Sequence, residues 1–458
     1  MKTSHKVTIL ILLQLFILNG LFVFRESNED FYKDRQLWNR GQFKGGPFDF
    51  IKLYYSHVSD EAYYYEWSTI VLGKSFEPHY PSFGIRESIR NFFFEKPKLR
   101  IPYQDIEFEY PPLIIVPILA ARFISYDYLS YTRALAGIIT LAYLGILWMI
   151  YSLWRQIPQN ERLSWPTLLS LSLASMLALG NLYVTRLDVF PSLLYLLALY
   201  TFLKGRYYQS AIWIVVGFFT KGYSILLAPL FCLFLLYQKK YRELLISSGL
   251  IIFLLVGIFI VLGWLTQGQY LDIFRFQVSR GIQIESLYAL IPYLSHLLFG
   301  IPIHISFNYS FQIAMPHIEV ILKLSQIIPL LLFSFLYVLF WRDLKRMQEA
   351  GKNPPVLWVI ESSLILVFAF IITFKVLSPQ FLIWLTPLIF LANPRRKKYL
   401  FSIFISLLIL TQVIWPNFYM LLERAHPLGV LLLSIRNLGL VILFIWLLLE
   451  RKERVKFQ

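Results

Sequence analysis

The chain has 458 residues, of which 57% are hydrophobic, 18% aromatic and only 15% charged. That leaves too little polar material to cover a soluble globule of this size, so the composition is that of a polytopic membrane protein. The formal net charge of +16 would suit nucleic acid in a soluble protein, but here the basic residues fall in short clusters between apolar runs, the pattern that encodes orientation in a bilayer and argues against nucleic-acid binding.

In chain order, Lys2 and Lys6 precede an apolar run from Val7 to Phe24 with no small-x-small cleavage site, which predicts a retained first span with a cytoplasmic N-terminus. A long loop, 25–133, follows, with mixed charges, many aromatics and the turn-forming pairs Gly45-Gly46 and Pro111-Pro112. Within it the apolar segment 111–126 is read as a helix lying in or dipping into the outer leaflet, because a crossing there would put the basic cluster 395–398 outside. Further spans are predicted at 134–154, 164–182, 189–203, 208–220, 222–237, 243–265, 317–341, 356–374, 381–393, 399–416 and 428–449, twelve with the first. The basic loops 155–162, 204–206, 239–242, 342–352, 395–398 and 451–456 then share the side of Lys2 and Lys6, and a second long loop, 266–315, lies opposite.

The expectation is an all-α polytopic fold in one integral domain, 1–458, with loops 25–133 and 266–315 on the outer face of the plasma (inner) membrane. The short spans and the Lys221-Gly222 interruption predict a funnel open to that face, since broken helices are tolerated where they line water inside the protein. The tail 451–456 reads as a topology signal in contact with anionic lipid. Cys232 stands alone in an apolar run, so neither an intrachain disulfide nor a cysteine-based metal site is available.

Two groups of residues carry candidate chemistry. Ser59-Asp60-Glu61 precede a tyrosine-rich segment and read either as a helix N-cap or as the carboxylate that takes a proton from an attacking hydroxyl. Arg186 and Asp188 at the junction of the third and fourth spans, Lys221 at the helix break, Arg280 in the second long loop and Lys375 at the end of the ninth span put charge beside apolar helices. A charge at mid-bilayer costs on the order of 2.5 to 3.5 kcal/mol, so such residues face a cavity or a partner. Converging cations suit a phosphate; each taken singly also suits snorkelling to headgroups or pairing with Asp188 or Glu285.

In order, Asp60, Glu109-Tyr110-Pro111-Pro112-Leu113, Arg186-Leu187-Asp188, Thr220-Lys221-Gly222-Tyr223, Arg280-Gly281-Ile282-Gln283-Ile284-Glu285-Ser286-Leu287 and Ser378-Pro379-Gln380-Phe381 resemble glycosyltransferase family 87. The resemblance spans roughly residues 5–395 and rests most on the Arg280 to Ser286 and Ser378 to Phe381 elements. It implies a GT-C fold and transfer of a sugar, typically mannose, from a polyprenyl phosphate to a lipid or glycan acceptor by an inverting single displacement. Asp60 matches the acidic residue of the first outer loop that sits in such active sites, with Glu61 its neighbouring alternative. Arg280 and Lys221, with Arg186 or Lys375, are assigned to the leaving phosphate, and Gln380 and Glu285 to sugar hydroxyls or structure; Tyr110, Asp188 and Ser378 complete the substrate-binding set. No metal and no cofactor is expected, since a single phosphate in a basic site needs neither.

Two other classes fit the same features less well. A twelve-span transporter or flippase would show two six-span halves and a larger central cytoplasmic loop than 238–242. An O-antigen ligase or polymerase would carry its large outer loop late in the chain.

Overall fold

A computed structural model describes residues 11–20, 61–72, 100–105, 108–125, 127–307, 310–352, 354–392 and 397–457. Each predicted span position carries a helix, but among the described residues six helices are long and apolar enough to cross a membrane. The early helices are α1 (Ile11–Gly20), α2 (Glu61–Val71), α3 (Ile115–Phe123), α4 (Tyr128–Trp154), α5 (Trp165–Leu179), α6 (Val189–Leu203) and α7 (Tyr207–Lys221). They are followed by α8 (Leu227–Tyr237), α9 (Tyr241–Leu265), α10 (Asp272–Ser279) and α11 (Leu290–Phe299). The last part holds α12 (Ile318–Glu349), α13 (Val356–Thr373), α14 (Leu382–Leu391), α15 (Lys397–Gln412), α16 (Tyr419–Glu423) and α17 (Pro427–Phe457). The six long helices are α4, α9, α12, α13, α15 with its continuation, and α17. Fifteen-residue helices such as α5 and α6 rise only about 22 Å, short of the roughly 30 Å hydrocarbon layer.

Local chemistry sets the helix ends. Asp127 opens α4 with a capping box: its Oδ1 accepts from the Ser130 amide at 2.7 Å while Ser130 Oγ accepts from the Asp127 amide at 3.1 Å. Ser164 caps α5, with Pro166 in its first turn. The segment ahead of α3 forms a single 3-10 turn, Pro112–Ile114. With α3 it makes an apolar helical stretch from Pro112 to Phe123.

The Lys221-Gly222 interruption has a structural cause. Gly222 closes α7 at φ +80°, a conformation that side chains disfavour, and the chain restarts as a 3-10 turn, Tyr223–Leu226, leading into α8. Lys221 therefore ends a helix at the wall of a cavity instead of lying within a continuous apolar rod.

One core runs through α4 to α8, α12 to α15 and α17, with α13 and α14 its most enclosed members. The second long loop adds what an all-helical expectation omits, a small antiparallel sheet in the order β1-β3-β2. Its strands are β1 (Ile282–Gln283), β2 (His304–Phe307) and β3 (Phe311–Ala314), with Ile282 opposite Ile313 and Gln283 opposite Gln312. Ile282, Ile284 and Ile313 pack with Ile414, Leu422 and Leu433, docking this loop onto the last helices.

Arg451, assigned from sequence to a lipid-facing tail, is instead 3% exposed. Its Nη1 lies 2.8 Å from Asp343 Oδ2, and its guanidinium covers the Phe340 and Trp358 rings at 4.3 and 5.1 Å. The side chain is long enough to reach back between α12 and α13, where a carboxylate and two ring faces replace headgroups.

Candidate active site

A cavity of about 690 Å³ opens where α2, the Glu109 to Pro112 segment, the end of α7, α10, β1 and the turn ahead of α14 meet. Its walls are rich in aromatic side chains, including Phe219, Phe274, Phe311, Phe374, Trp384 and Trp415. Polar groups enter at a few points: Glu109, Tyr110, Arg186, Lys221, Arg280, Gln283, Glu285, Ser378 and Gln380 all contribute to the lining. Apolar walls with a few convergent polar groups are the usual form of a ligand site.

Residues far apart in sequence thus meet here. Of the residues singled out from the sequence, Tyr110, Arg186, Lys221, Arg280, Glu285, Ser378 and Gln380 line the cavity. Asp188 is buried behind it, Glu61 is fully buried at the start of α2, and Lys375 is buried outside the lining. Asp60 lies outside the described residues. Arg122 Nε donates to Thr69 Oγ1 at 3.2 Å and its guanidinium lies over the Tyr65 ring at 5.0 Å, so the polar interior here ties α2 to α3.

The charges of the site are compensated unequally. Lys221 Nζ lies 3.3 Å from Asp188 Oδ1 and within 5.3 to 5.9 Å of the Tyr110, Phe381 and Trp384 ring centres. Glu285 is held more tightly: Arg436 Nη1 donates to its Oε2 at 2.8 Å, and Arg436 Nη2 and Asn437 Nδ2 donate to its carbonyl at 2.6 and 3.1 Å. Burial pushes the Glu285 carboxyl up to about 7, with Arg436 opposing the shift. The Arg186 guanidinium lies over the Trp415 ring at 5.0 Å, where Pro416 and the non-helical Trp415 break the helix after α15.

Arg280 differs from these. Its Nε donates to Ser310 Oγ at 3.2 Å, and among the described residues no carboxylate lies within ion-pair distance of it. Burial lowers its pKa, opposed first by the more distant charge of Glu109. Lys375 turns away from the cavity: its Nζ donates to the Val278 carbonyl at 2.9 Å and to the Arg280 carbonyl. The expectation that Lys375 contributes directly to a phosphate site therefore gives way to a backbone contact. A long side chain beside the carbonyl end of α10 finds acceptors there sooner than it finds the cavity.

Three residues not assigned from sequence belong to the arrangement. Arg436 is fully buried in the last long helix, and a charge amid the apolar run of α17 was itself the signal for a partner. Glu109 brings a second carboxylate to the lining, and Trp384 Nε1 donates to Asp188 Oδ1 at 3.0 Å. Neither had a sequence signal of its own beyond a place in or next to a motif.

No curated protein matches the chain significantly. A family model described as glycosyltransferase family 87 matches residues 108–380, which take in the cavity's Glu109 to Pro112 segment, α7, α10, β1 and Gln380. That match covers more than half of the 458 residues, and this multi-pass membrane protein belongs to glycosyltransferase family 87.

Proposed function

We propose that this membrane glycosyltransferase takes a hexose, mannose or a close relative, from a polyprenyl phosphate and transfers it to a lipid or glycan acceptor on the extracytoplasmic face of the plasma membrane. One observation carries the reading: Arg280 brings a cation with no carboxylate in ion-pair reach among the described residues to an aromatic-walled cavity. A phosphate monoanion supplies the missing counter-charge, and the apolar walls suit the first isoprene units beyond it.

The reaction is an inverting single displacement. The acceptor oxygen attacks the anomeric carbon as its proton passes to a carboxylate, for which Asp60 is proposed, with Glu61 beside it. The bond from the anomeric carbon to the phosphate oxygen breaks, and its electron pair leaves with the lipid phosphate. Arg280 stabilises the charge that grows on that phosphate, with Lys221 and Arg186 adding to the field. Because Asp188 already compensates Lys221, Arg280 takes the larger share. Gln380 and Ser378 are assigned to sugar hydroxyls. No metal is called on, since positioned cations perform the electrostatic task.

The test is direct. Protein in nanodiscs is incubated with a labelled polyprenyl-phosphate mannose and crude membrane lipid, and the lipid products are separated. A labelled product of inverted anomeric configuration is expected. Failure across a panel of polyprenyl-phosphate hexoses, with transfer from a nucleotide sugar instead, would overturn the donor class.

A further inference from the structure

We propose that Lys375 is a positioning residue that holds the Arg280 to Gln283 segment in register, so that the Arg280 guanidinium meets the donor phosphate. The proposal rests on the reading of Arg280 given above.

The contacts of Lys375 run in both directions. Its Nζ donates to the carbonyls of Val278, at 2.9 Å, and Arg280, while its own carbonyl accepts from the Gln283 amide at 3.1 Å. One residue thus grips the segment on either side of Gly281. The lysine is only 7% exposed and has no carboxylate in ion-pair reach among the described residues. Its charge is spent on backbone oxygens at the carbonyl end of α10, where a cation is favoured.

The far side of the segment is fixed as well. The Gly281 amide donates to Gln312 Oε1 at 2.8 Å, and a Cβ at Gly281 would stand 2.6 Å from that same oxygen, so any side chain there would have to push the Gln312 amide aside and break the bond. Arg280 is therefore clamped between β3 and the chain leaving α13. Two side chains of the segment enter the cavity, Arg280 and Gln283. Gln283 is 4% exposed and among the described residues its Oε1 has no hydrogen-bond partner, leaving an acceptor for a substrate hydroxyl. The spacing from guanidinium to amide is what the Lys375 clamp preserves.

The experiment is a double-mutant cycle with Lys375→Met and Arg280→Gln, read as KM and kcat with polyprenyl-phosphate mannose, alongside the thermal midpoint in detergent. A displacement of about 1 Å at a positioned group can cost on the order of 100-fold. Lys375→Met is expected to raise the donor KM at least tenfold, on that scale, with kcat changing less. In the Arg280→Gln background the same substitution should change the donor KM less than about twofold, since no guanidinium remains to be placed. Lys375→Arg, which keeps donors for both carbonyls, should recover most of the donor affinity. If Lys375→Met does not fold, Lys375→Gln, which retains one donating amide, takes its place in the cycle.

Equal losses in both backgrounds, or a lowered thermal midpoint with donor KM unchanged, would overturn the positioning role while leaving Arg280 as the phosphate anchor. A wild-type donor KM in the Arg280→Gln protein would instead overturn the anchor itself, and the positioning role with it.

Discussion

Lys221 and Asp188 form an ion pair with Nζ 3.3 Å from Oδ1, and the same carboxylate oxygen accepts the Trp384 indole N–H at 3.0 Å. The pair joins the end of α7 to the start of α6, and Trp384 adds α14. Trp384 itself is stacked between Tyr223 and Phe381, with ring centres 4.3 and 4.2 Å away. Asp188 is therefore the point through which a cavity cation is tied to the most buried helix of the bundle.

Asp188→Ala should destabilise the protein by about 1 to 3 kcal/mol, because it leaves a buried indole donor and a lysine charge unsatisfied. Asp188→Asn keeps an oxygen for Trp384 and should cost less. Unfolding in detergent, followed by a thiol- or dye-based thermal assay, checks the order; a smaller loss for alanine than for asparagine would contradict it.

Arg436→Leu should be more severe, about 3 to 5 kcal/mol, since it strips the partner from a fully buried carboxylate. Glu285 makes that cost depend on pH. Its folded-state pKa, about 7, lies above the ordinary value of 4.5, so between those values the folded protein holds more protons than the unfolded chain. The stability this contributes is complete below the ordinary value and is lost as pH rises through the folded one. The wild type should therefore lose stability from acid to neutral pH at this site, and Glu285→Gln should flatten that slope. A steeper slope in the Gln variant would count against the assignment.

Asp60→Asn should lower turnover by about 10² to 10⁴ while donor binding survives, the usual range for loss of a general base. Glu61→Gln should be milder in turnover and should show instead as a stability loss, because Glu61 is fully buried at the start of α2. Glu109→Gln provides the comparison, as Glu109 is a cavity carboxylate near Arg280. An active Asp60→Asn protein with an inactive Glu109→Gln protein would move the base to Glu109.

Orientation is tested separately. A reporter active only outside the cytoplasm should work when fused after Gln269 and fail after Lys240, because the two positions flank α9, a 25-residue apolar helix. Equal activity at both would mean that α9 does not cross.

Much of the fold was legible in the chain. The apolar runs located every helix at a span position, the Lys221-Gly222 pair announced the break at the cavity wall, and the motifs around Tyr110, Arg280 and Gln380 supplied three of its sides. These are properties of neighbouring residues: hydropathy over one turn, a glycine's left-handed backbone, a proline at a helix start. What each charge does depends on groups brought in from elsewhere. Glu285 and Arg436 are 151 residues apart, and Lys375 reaches carbonyls 95 and 97 residues earlier. Sequence alone offered Arg280 and Lys221, with Arg186 or Lys375, as the cations for one phosphate. Packing sorted them, since a buried charge takes whichever carboxylate or carbonyl the surrounding helices leave within reach, so that Lys221 pairs with Asp188 at the cavity wall, Lys375 goes to the backbone and Arg280 faces the cavity with no carboxylate in ion-pair reach among the described residues.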